Sequence, residues 1–368
     1  MALTDKLSAI GDAIREKTGG TELITLDNMP AEILAIQSGG GDELPTTVTG
    51  GCYWNYSGHW NWFIEAVPEL TVEFANDISN MFNSAATLTD LSHVTVKQTT
   101  TTSSFPGSYT FSGCSKLTAL PKFQFQGSLS NLNHFFSECR NLVEIPEYFF
   151  AGVDDEGNWD TDGGLHLLIA LPIGNMFKHC QRLRKLPNFI PTTTNTGGLS
   201  STFFGCYSLD EVLVPVINAT LTSNKHASAF GYLLRAKKIV FNTQDDGTPY
   251  AVSWKSQTID LSSYVGYSNS MMTAYGFSTT TEVTDATTYA ALVDNEDYWT
   301  RDVAYSRYNH DSAVETINSL PDVTSSGGTN TIKFMGESGS ATTAGAISTL
   351  TEEEIAVATA KGWTVTLV

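Results

Sequence analysis

A spaced pattern, Phe-x-x-Cys-x-x-Leu, recurs along the middle of the chain and restricts the folds that the chain can adopt. Weaker copies begin at Phe82 and Phe230, where Ala85 and Leu233 replace the cysteine. The steps from one phenylalanine to the next are 29, 25, 41, 26 and 27 residues. A repeat of this length indicates a solenoid, whose units bury their apolar faces only against their neighbours. The complete copies are Phe111, Cys114, Leu117; Phe136, Cys139, Leu142; Phe177, Cys180, Leu183; and Phe203, Cys206, Leu209.

The spacing within each copy predicts its local structure. Apolar residues three apart suit a 3₁₀-like turn that runs into a short strand. The cysteines take equivalent positions, so we expect them to stack as small buried groups. Ala85 and Leu233 support a packing role because neither can bind a metal or form a disulfide. A zinc site would require Cys-x-x-Cys pairs, and the sequence contains none.

These copies resemble the BspA-type leucine-rich repeat, in which Phe-x-x-Cys-x-x-Leu is the recurring core. The resemblance covers residues 77–245. It implies an α/β solenoid, here a BspA-like leucine-rich repeat with an N-terminal helical hairpin and a C-terminal helix–strand cap. Such repeats are reused for many functions, so the resemblance does not identify a ligand. The expected repeat region is 77–250.

Charge and cysteine content narrow the possible partners. The net charge of −19 disfavours nucleic acid and anionic membrane surfaces, which both require a basic face. No run of apolar residues is long enough to span a membrane, so no membrane insertion is expected. The first twenty residues lack the apolar stretch of a signal peptide, which favours assembly in a cytoplasm. Five cysteines, an odd number, agree with reduced thiols.

Residues 1–38 are predicted to form a helical hairpin that anchors or oligomerises the chain. Two apolar stripes at heptad spacing support this prediction, and a Ser-Gly-Gly-Gly linker follows them. A hairpin of this size buries little surface alone, so it should pack on its own copies or on another protein. The heptad run is compatible with a trimer. The alternative is that the hairpin folds back onto the repeats. The stripe residues are Leu3, Leu7, Ile10, Ile14, Met29, Ile33 and Ile36.

The hairpin carries a second resemblance. The run from Leu3 to Gly19 is similar to a segment at the start of tail-associated proteins of phages and prophages. It implies attachment to other virion proteins and contributes no catalytic residue.

Residues 39–76 are expected to form a linker and an aromatic N-terminal cap. The stretch 52–63 is dense in aromatic residues. One interpretation is a surface for sugar stacking or protein binding, and the other is a cap over the open end of the repeats. The similarity of this stretch to the opening segment of phage-encoded repeat proteins favours the cap. Its candidate residues are Trp54, Tyr56, Trp60 and Trp62.

Residues 251–368 are predicted to add two helix–strand units that extend and close the sheet. The first helix is expected to be capped by Asp311 or Ser312, and the second by a capping box of Thr351 and Glu354. The last residues resemble the closing segment of phage leucine-rich repeat proteins. The predicted strands are 330–334 and 363–368.

The long step of 41 residues indicates an acidic insertion in the repeats. Asp154, Asp160 and Asp162 are weak candidates for calcium binding, because the register fails the EF-hand pattern. The alternative is a solvated acidic loop. Either loop would project from one face, where insertions often take part in binding.

No motif of a hydrolase, a P-loop or a metalloprotease occurs, so neither an enzyme nor a cofactor is expected. The expected function is a phage structural protein on the virion: a tail fibre or baseplate protein that binds a host-surface glycan or protein by multivalent contacts. The first alternative is a head fibre or capsid decoration protein, and the next a BspA-type surface adhesin. A polysaccharide depolymerase is last.

Overall fold

The computed structural model describes residues 46–49, 64, 66–154, 156–159, 171–187, 198–233, 236–262, 308–336, 347 and 349–368, with short strands at 167–168 and 189–190. The α-helices bounded within these residues are α1 (His310–Ser319) and α2 (Glu352–Ala360), and a 3₁₀ turn covers Thr324–Ser326. Neither helix is long and apolar enough to cross a membrane. The strands are β1 (Thr47–Thr49), β2 (Leu70–Phe74), β3 (Val94–Gln98), β4 (Ser104–Pro106), β5 (Lys122–Gln124), β6 (Ser128–Asn131), β7 (Leu167–Leu168), β8 (Phe189–Ile190), β9 (Glu211–Val214), β10 (Lys238–Phe241), β11 (Thr258–Leu261), β12 (Asn330–Phe334) and β13 (Trp363–Leu367).

The paired strands that the structure describes are parallel. The largest sheet has the order β1–β2–β3–β5, and smaller sheets join β4 to β6, β7 to β8 and β9 to β10. Parallel neighbours need a crossover between them. Each repeat supplies this crossover, because the turn around the next phenylalanine lies between one strand and the following strand along the chain. Alternate residues of β2 and β3 are buried, so each strand gives one face to the core.

The turn around each repeat phenylalanine bonds to the turn of the next copy through the backbone. The Phe82 N–H donates to Thr110 O at 2.8 Å, and the Phe111 N–H donates to Phe135 O at 2.8 Å. The N–H groups two residues before and two residues after the phenylalanine make the same kind of bond. These flanking residues have positive φ in all six copies. The alternating backbone conformation points every second N–H along the stack.

Within each turn, bonds span three residues, as the spacing predicted. The Cys114 N–H donates to Phe111 O and the Leu117 N–H donates to Cys114 O, both at 3.1 Å. The repeat phenylalanine rings stack nearly parallel, with Phe82 and Phe111 centroids 5.2 Å apart and Phe111 and Phe136 centroids 5.5 Å apart. All twelve residues of the four complete copies are buried.

The cysteine thiols pack in the core and also form hydrogen bonds to the preceding copy of the repeat. Each thiol donates to the carbonyl of the phenylalanine one copy earlier: Cys114 to Phe82 at 2.9 Å, and Cys139 to Phe111 at 3.0 Å. Cys180 and Cys206 repeat this bond. Burial raises the pKa of the Cys114 thiol to about 12, so the thiol stays protonated and keeps its hydrogen to donate.

The C-terminal units follow the predicted pattern, except that the N-cap predicted for the first helix is wrong. The second capping box is confirmed, since Thr351 and Glu354 bond reciprocally at the start of α2, and β12 and β13 are confirmed as strands. The first helix is capped by Asn309 and not by Asp311 or Ser312. Ser312 takes the third helical position, where its hydroxyl accepts from the Asn309 N–H and the Asn309 side chain accepts from the Ser312 N–H.

The prediction that the C-terminal units extend the sheet of the repeats is wrong at β10, because no C-terminal strand pairs with that strand. Strands β11, β12 and β13 form a separate parallel sheet, and α1 covers the far edge of β10. Hydroxyls of α1 replace a neighbouring strand: Ser312 donates to Lys237 O and Thr316 to Ile239 O, both at 2.6 Å. The Phe241 N–H donates to the Ser319 hydroxyl at 2.9 Å. The edge groups are therefore satisfied by side chains.

One connected cluster of buried apolar residues runs from Ile64 to Trp363. It includes repeat residues and residues of the C-terminal units. Trp254 lies where the two parts meet, with its ring 6.4 Å from that of Trp363 and its N–H bonded to Ile217 O. The repeats and the C-terminal units therefore share a core.

Candidate functional site

Several of the predicted site residues lie outside the described part of the chain. These are the stripe residues of the hairpin, the four aromatic cap residues, and Asp160 and Asp162. Asp154 is described, and its carboxylate accepts the Asn158 N–H at 2.8 Å. That bond holds the pKa of the Asp154 carboxyl below its usual value. In the described residues no three His, Cys, Asp or Glu side chains are grouped to hold a metal.

The described residues of the acidic insertion form a tight turn beside the sheet. The Val153 N–H donates to Phe123 O at 2.7 Å, and Val153 pairs with Trp159 as an antiparallel bridge. The Lys122 ammonium donates to Gly157 O at 3.2 Å. Trp159 packs against the core. These contacts place the turn beside β5, at one side of the four-stranded sheet.

The open face of this sheet is polar because its outward positions carry hydroxyl, amide and charged side chains. Strand register aligns Thr47, Thr71, Thr95 and Lys122 in one row across β1, β2, β3 and β5. The next row contains Glu73, Lys97 and Gln124 on β2, β3 and β5. Since side chains alternate along a strand, all of these residues lie on the face opposite the core.

A shallow cavity of about 230 Å³ lies at the start of β2 and β3. We call it the sheet-face cavity. Its polar side chains mix hydrogen-bond donors and acceptors, with one carboxylate and one ammonium group. The His93 ring donates from Nε2 to Ile64 O at 2.7 Å, which leaves Nδ1 as an acceptor in the neutral ring. The polar side chains of the cavity are Glu69, Thr71, Ser92, His93, Thr95 and Lys122.

A second polar cluster crosses two repeat copies on the turn side. Arg140 donates from Nε and Nη2 to the same oxygen of Glu138, at 3.1 and 2.9 Å, and His179 Nδ1 bonds to the other oxygen. Burial alone would raise the pKa of Glu138, but bonds and charges from His179 and then Arg140 lower it. The His179 ring packs closely over Gly205, where an added Cβ would lie 2.5 Å from its Cδ2. The cluster therefore links neighbouring copies and fixes the Glu138 carboxylate as an anion.

Both polar groups were missed by sequence analysis, although a signal for each exists. Glu138 and His179 both stand two residues after the repeat phenylalanine, so register alone places them side by side. The sheet-face cavity follows from the outward positions of three strands. The cavity forms because β3 pairs with β5 and skips the short strand β4.

In comparisons with family models, curated proteins and solved structures, nothing matches this chain. The interpretation of its function therefore rests on its own residues and their arrangement.

Proposed function

We propose that this chain is a phage or prophage virion protein, with a BspA-like leucine-rich solenoid, that recognises a host-surface molecule without catalysis. The observation that carries the proposal is the polar, open face of the four-stranded sheet, with its cavity and the adjoining insertion. A rigid stack of repeats presents an extended surface of this kind for binding.

The chemistry of the sheet-face cavity fits a glycan better than an apolar ligand. Hydroxyls of Thr71, Ser92 and Thr95 both donate and accept, as the hydroxyls of a sugar do. The carboxylate of Glu69 and the ammonium of Lys122 balance each other, so the cavity favours a neutral polyol over an ion. Its volume of about 230 Å³ is smaller than a drug-sized pocket and suits a small polar unit of a longer polymer.

Weak binding at each cavity is compatible with tight attachment of a particle. Several copies on one virion raise the effective concentration for each later contact, so avidity exceeds the single-site affinity. Residues 1–38 are proposed to hold the chain on other virion proteins and to gather copies into a homo-oligomer.

The test removes two hydroxyls from the sheet-face cavity while keeping the β-branched shape. The double variant Thr71→Val, Thr95→Val should lose about 2 kcal/mol at one site, at about 1 kcal/mol for each hydrogen bond. That loss corresponds to roughly 30-fold weaker binding of the purified protein to extracted host envelope polysaccharide, measured by calorimetry. Ser130→Ala, an exposed hydroxyl change on β6, is the matched control and should bind as the original chain does.

Equal binding by the double variant and the original chain would remove the cavity from the recognition site. Absence of binding to any host envelope fraction or host cell would contradict host recognition itself. Release of reducing sugar from the polysaccharide would contradict a non-catalytic role and favour the depolymerase.

Immunogold electron microscopy with an antibody to residues 77–368 tests the place on the particle. Gold at the tail tip would support tail fibre or baseplate recognition. Gold over the capsid would instead support a head fibre or decoration protein. Unlabelled particles would favour the bacterial adhesin.

A further inference from the structure

Strand β13 presents an edge that no described residue covers. Its sole neighbour in the described sheet is β12. The Val368 N–H donates to Phe334 O at 3.0 Å, and Val368 O accepts from the Gly336 N–H at 2.8 Å. Since backbone groups alternate along a strand, those of Val365 and Leu367 point to the opposite side, away from β12.

By contrast, the outer edge of β10 is covered by α1. Helix α1 places Ser312, Thr316 and Ser319 along β10, and their hydroxyls satisfy its backbone groups. Helix α2 packs beside β13 but supplies no such bonds: its Thr359 hydroxyl donates to Ile355 O within the helix itself. Among the described residues, the outer edge of β13 therefore receives no backbone-satisfying bonds of the kind that α1 gives to β10.

The residues of this edge also lack the features that keep exposed strands apart. From Trp363 to Val368 the sequence is Trp-Thr-Val-Thr-Leu-Val, with no charge and no proline. Exposed edges are usually blunted by lysine, proline or a bulge. Leu367 and Val368 are 40% and 60% exposed, and Ile355 and Val357 of α2 add apolar surface next to them. This composition favours pairing with another strand.

We propose that β13 pairs antiparallel with β13 of a second copy of this chain, about a two-fold axis through Val365. A strand without charged side chains brings no like-charged side chains together when it lies opposite itself, and two-fold pairing is the commonest closed arrangement of identical chains. In this register Val365 faces the partner's Val365, and Leu367 faces the partner's Trp363. Each of these pairs exchanges both backbone bonds, while Thr364 stands beside the partner's Thr366. The proposal is independent of host binding.

The first test measures the mass of the full chain by light scattering. Val365→Pro removes one outward N–H without touching the bonds to β12, because edge positions of this kind tolerate proline. Leu367→Lys places a cation on the edge. Each variant should have a lower mass than the original chain at equal concentration, because the assemblies that β13 joins then separate. Ser130→Lys is the control and should keep the full mass.

Equal masses for the original chain and both variants would overturn the proposal. A second test checks the register. In the double variant Thr364→Cys, Thr366→Cys, each new thiol lies opposite its complement in a close, non-hydrogen-bonded pair, so mild oxidation should join two chains. Thr364→Cys alone places its thiols two residues out of register and should not cross-link. Cross-linking of the single variant, or of neither variant, would contradict the pairing about Val365.

Discussion

At the scale of single residues, the cysteine of each copy is a hydrogen-bond donor placed inside the core. Its thiol donates to the phenylalanine carbonyl of the preceding copy, at 2.9–3.1 Å. The first copy has no preceding repeat phenylalanine, and it carries Ala85 at this position. The exception at the start of the stack therefore has a physical reason.

We predict that Cys139→Asp prevents stable folding of the repeats, because it buries an unpaired carboxylate among apolar side chains. Cys139→Ala should be much milder and cost about 1–3 kcal/mol, for a lost donor and a small cavity. Thermal unfolding followed by circular dichroism measures both. A melting temperature of the Asp variant equal to that of the Ala variant would show that residue 139 is not enclosed as described.

His226 is a polar residue at a core position of the repeat. Four residues before their phenylalanines, four of the other five copies carry Ile78, Leu132, Ile173 and Leu199, and the fifth carries Gly107. Both ring nitrogens of His226 are buried and have no hydrogen-bond partner among the described residues, and the ring lies 4.7 Å from that of Trp254. Burial lowers its pKa to about 3. The neutral ring is thus the form that the fold accommodates.

This burial predicts acid sensitivity. The unfolded chain takes up a proton on this histidine near its ordinary pKa of about 6.5, whereas the folded chain does so only near 3. Folding stability is therefore complete above pH 6.5 and falls as the pH is lowered towards 3, by up to about 4 kcal/mol. His226→Leu should remove this part of the dependence. Urea unfolding of both proteins from pH 7 to 4 provides the comparison, and a constant difference in free energy would contradict the prediction.

At the scale of elements, α1 acts as a substitute strand along β10. Thr316 carries much of this role, since its hydroxyl donates to Ile239 O at 2.6 Å and also meets the Tyr308 hydroxyl at 2.7 Å. We expect Thr316→Val to lower the free energy of unfolding by about 1–3 kcal/mol, because a buried carbonyl loses its donor. Thr316→Ser keeps the hydroxyl and should retain most of the stability. Chemical denaturation separates the two, and equal losses would point to packing of the methyl group instead.

Sequence reasoning predicted elements where one periodic signal decides the structure. Strands β12 and β13 alternate clearly, and the Thr351–Glu354 capping box has the usual residues. The cap of α1 was placed two or three residues late because Asn309 with Ser312 is a less familiar form of the same box. The closure of β10 by α1 could not be predicted, since it depends on hydroxyls 75 to 78 residues away in the chain.

At the scale of the whole molecule, the repeats and the C-terminal units share one core, whereas residues 1–38 are followed by a glycine-rich linker. We therefore predict that deleting residues 1–38 leaves the melting temperature of the rest unchanged and abolishes incorporation into particles. Calorimetry and immunoblots of purified particles test the two halves. Normal incorporation of the shortened chain would rule out the anchoring role, and a lower melting temperature would favour the hairpin folded onto the repeats.

The site was less predictable than the core. The buried stacks of phenylalanine and cysteine side chains follow from the spacing of the repeat, because equivalent positions must lie next to each other. A surface cavity depends on which outward residues meet across strands. Thr95 and Lys122 become neighbours only when β3 pairs with β5, a choice that the spacing of the repeats leaves open. The calcium candidates illustrate a further limit, since a cluster of aspartates in sequence does not fix where their oxygens point.

The bonds between successive turns also determine how the molecule would respond to tension. Each turn holds chiefly to the turn of the next copy, 25 to 41 residues further along the chain. A pull between the two ends would therefore detach copies in succession rather than break all of them together. A released copy of 26 residues, the step from Phe177 to Phe203, lengthens the chain by roughly 90 Å when extended. In the proposed virion role, the release of one coil would let an attached particle move under drag, and refolding of that coil would return the particle to its position.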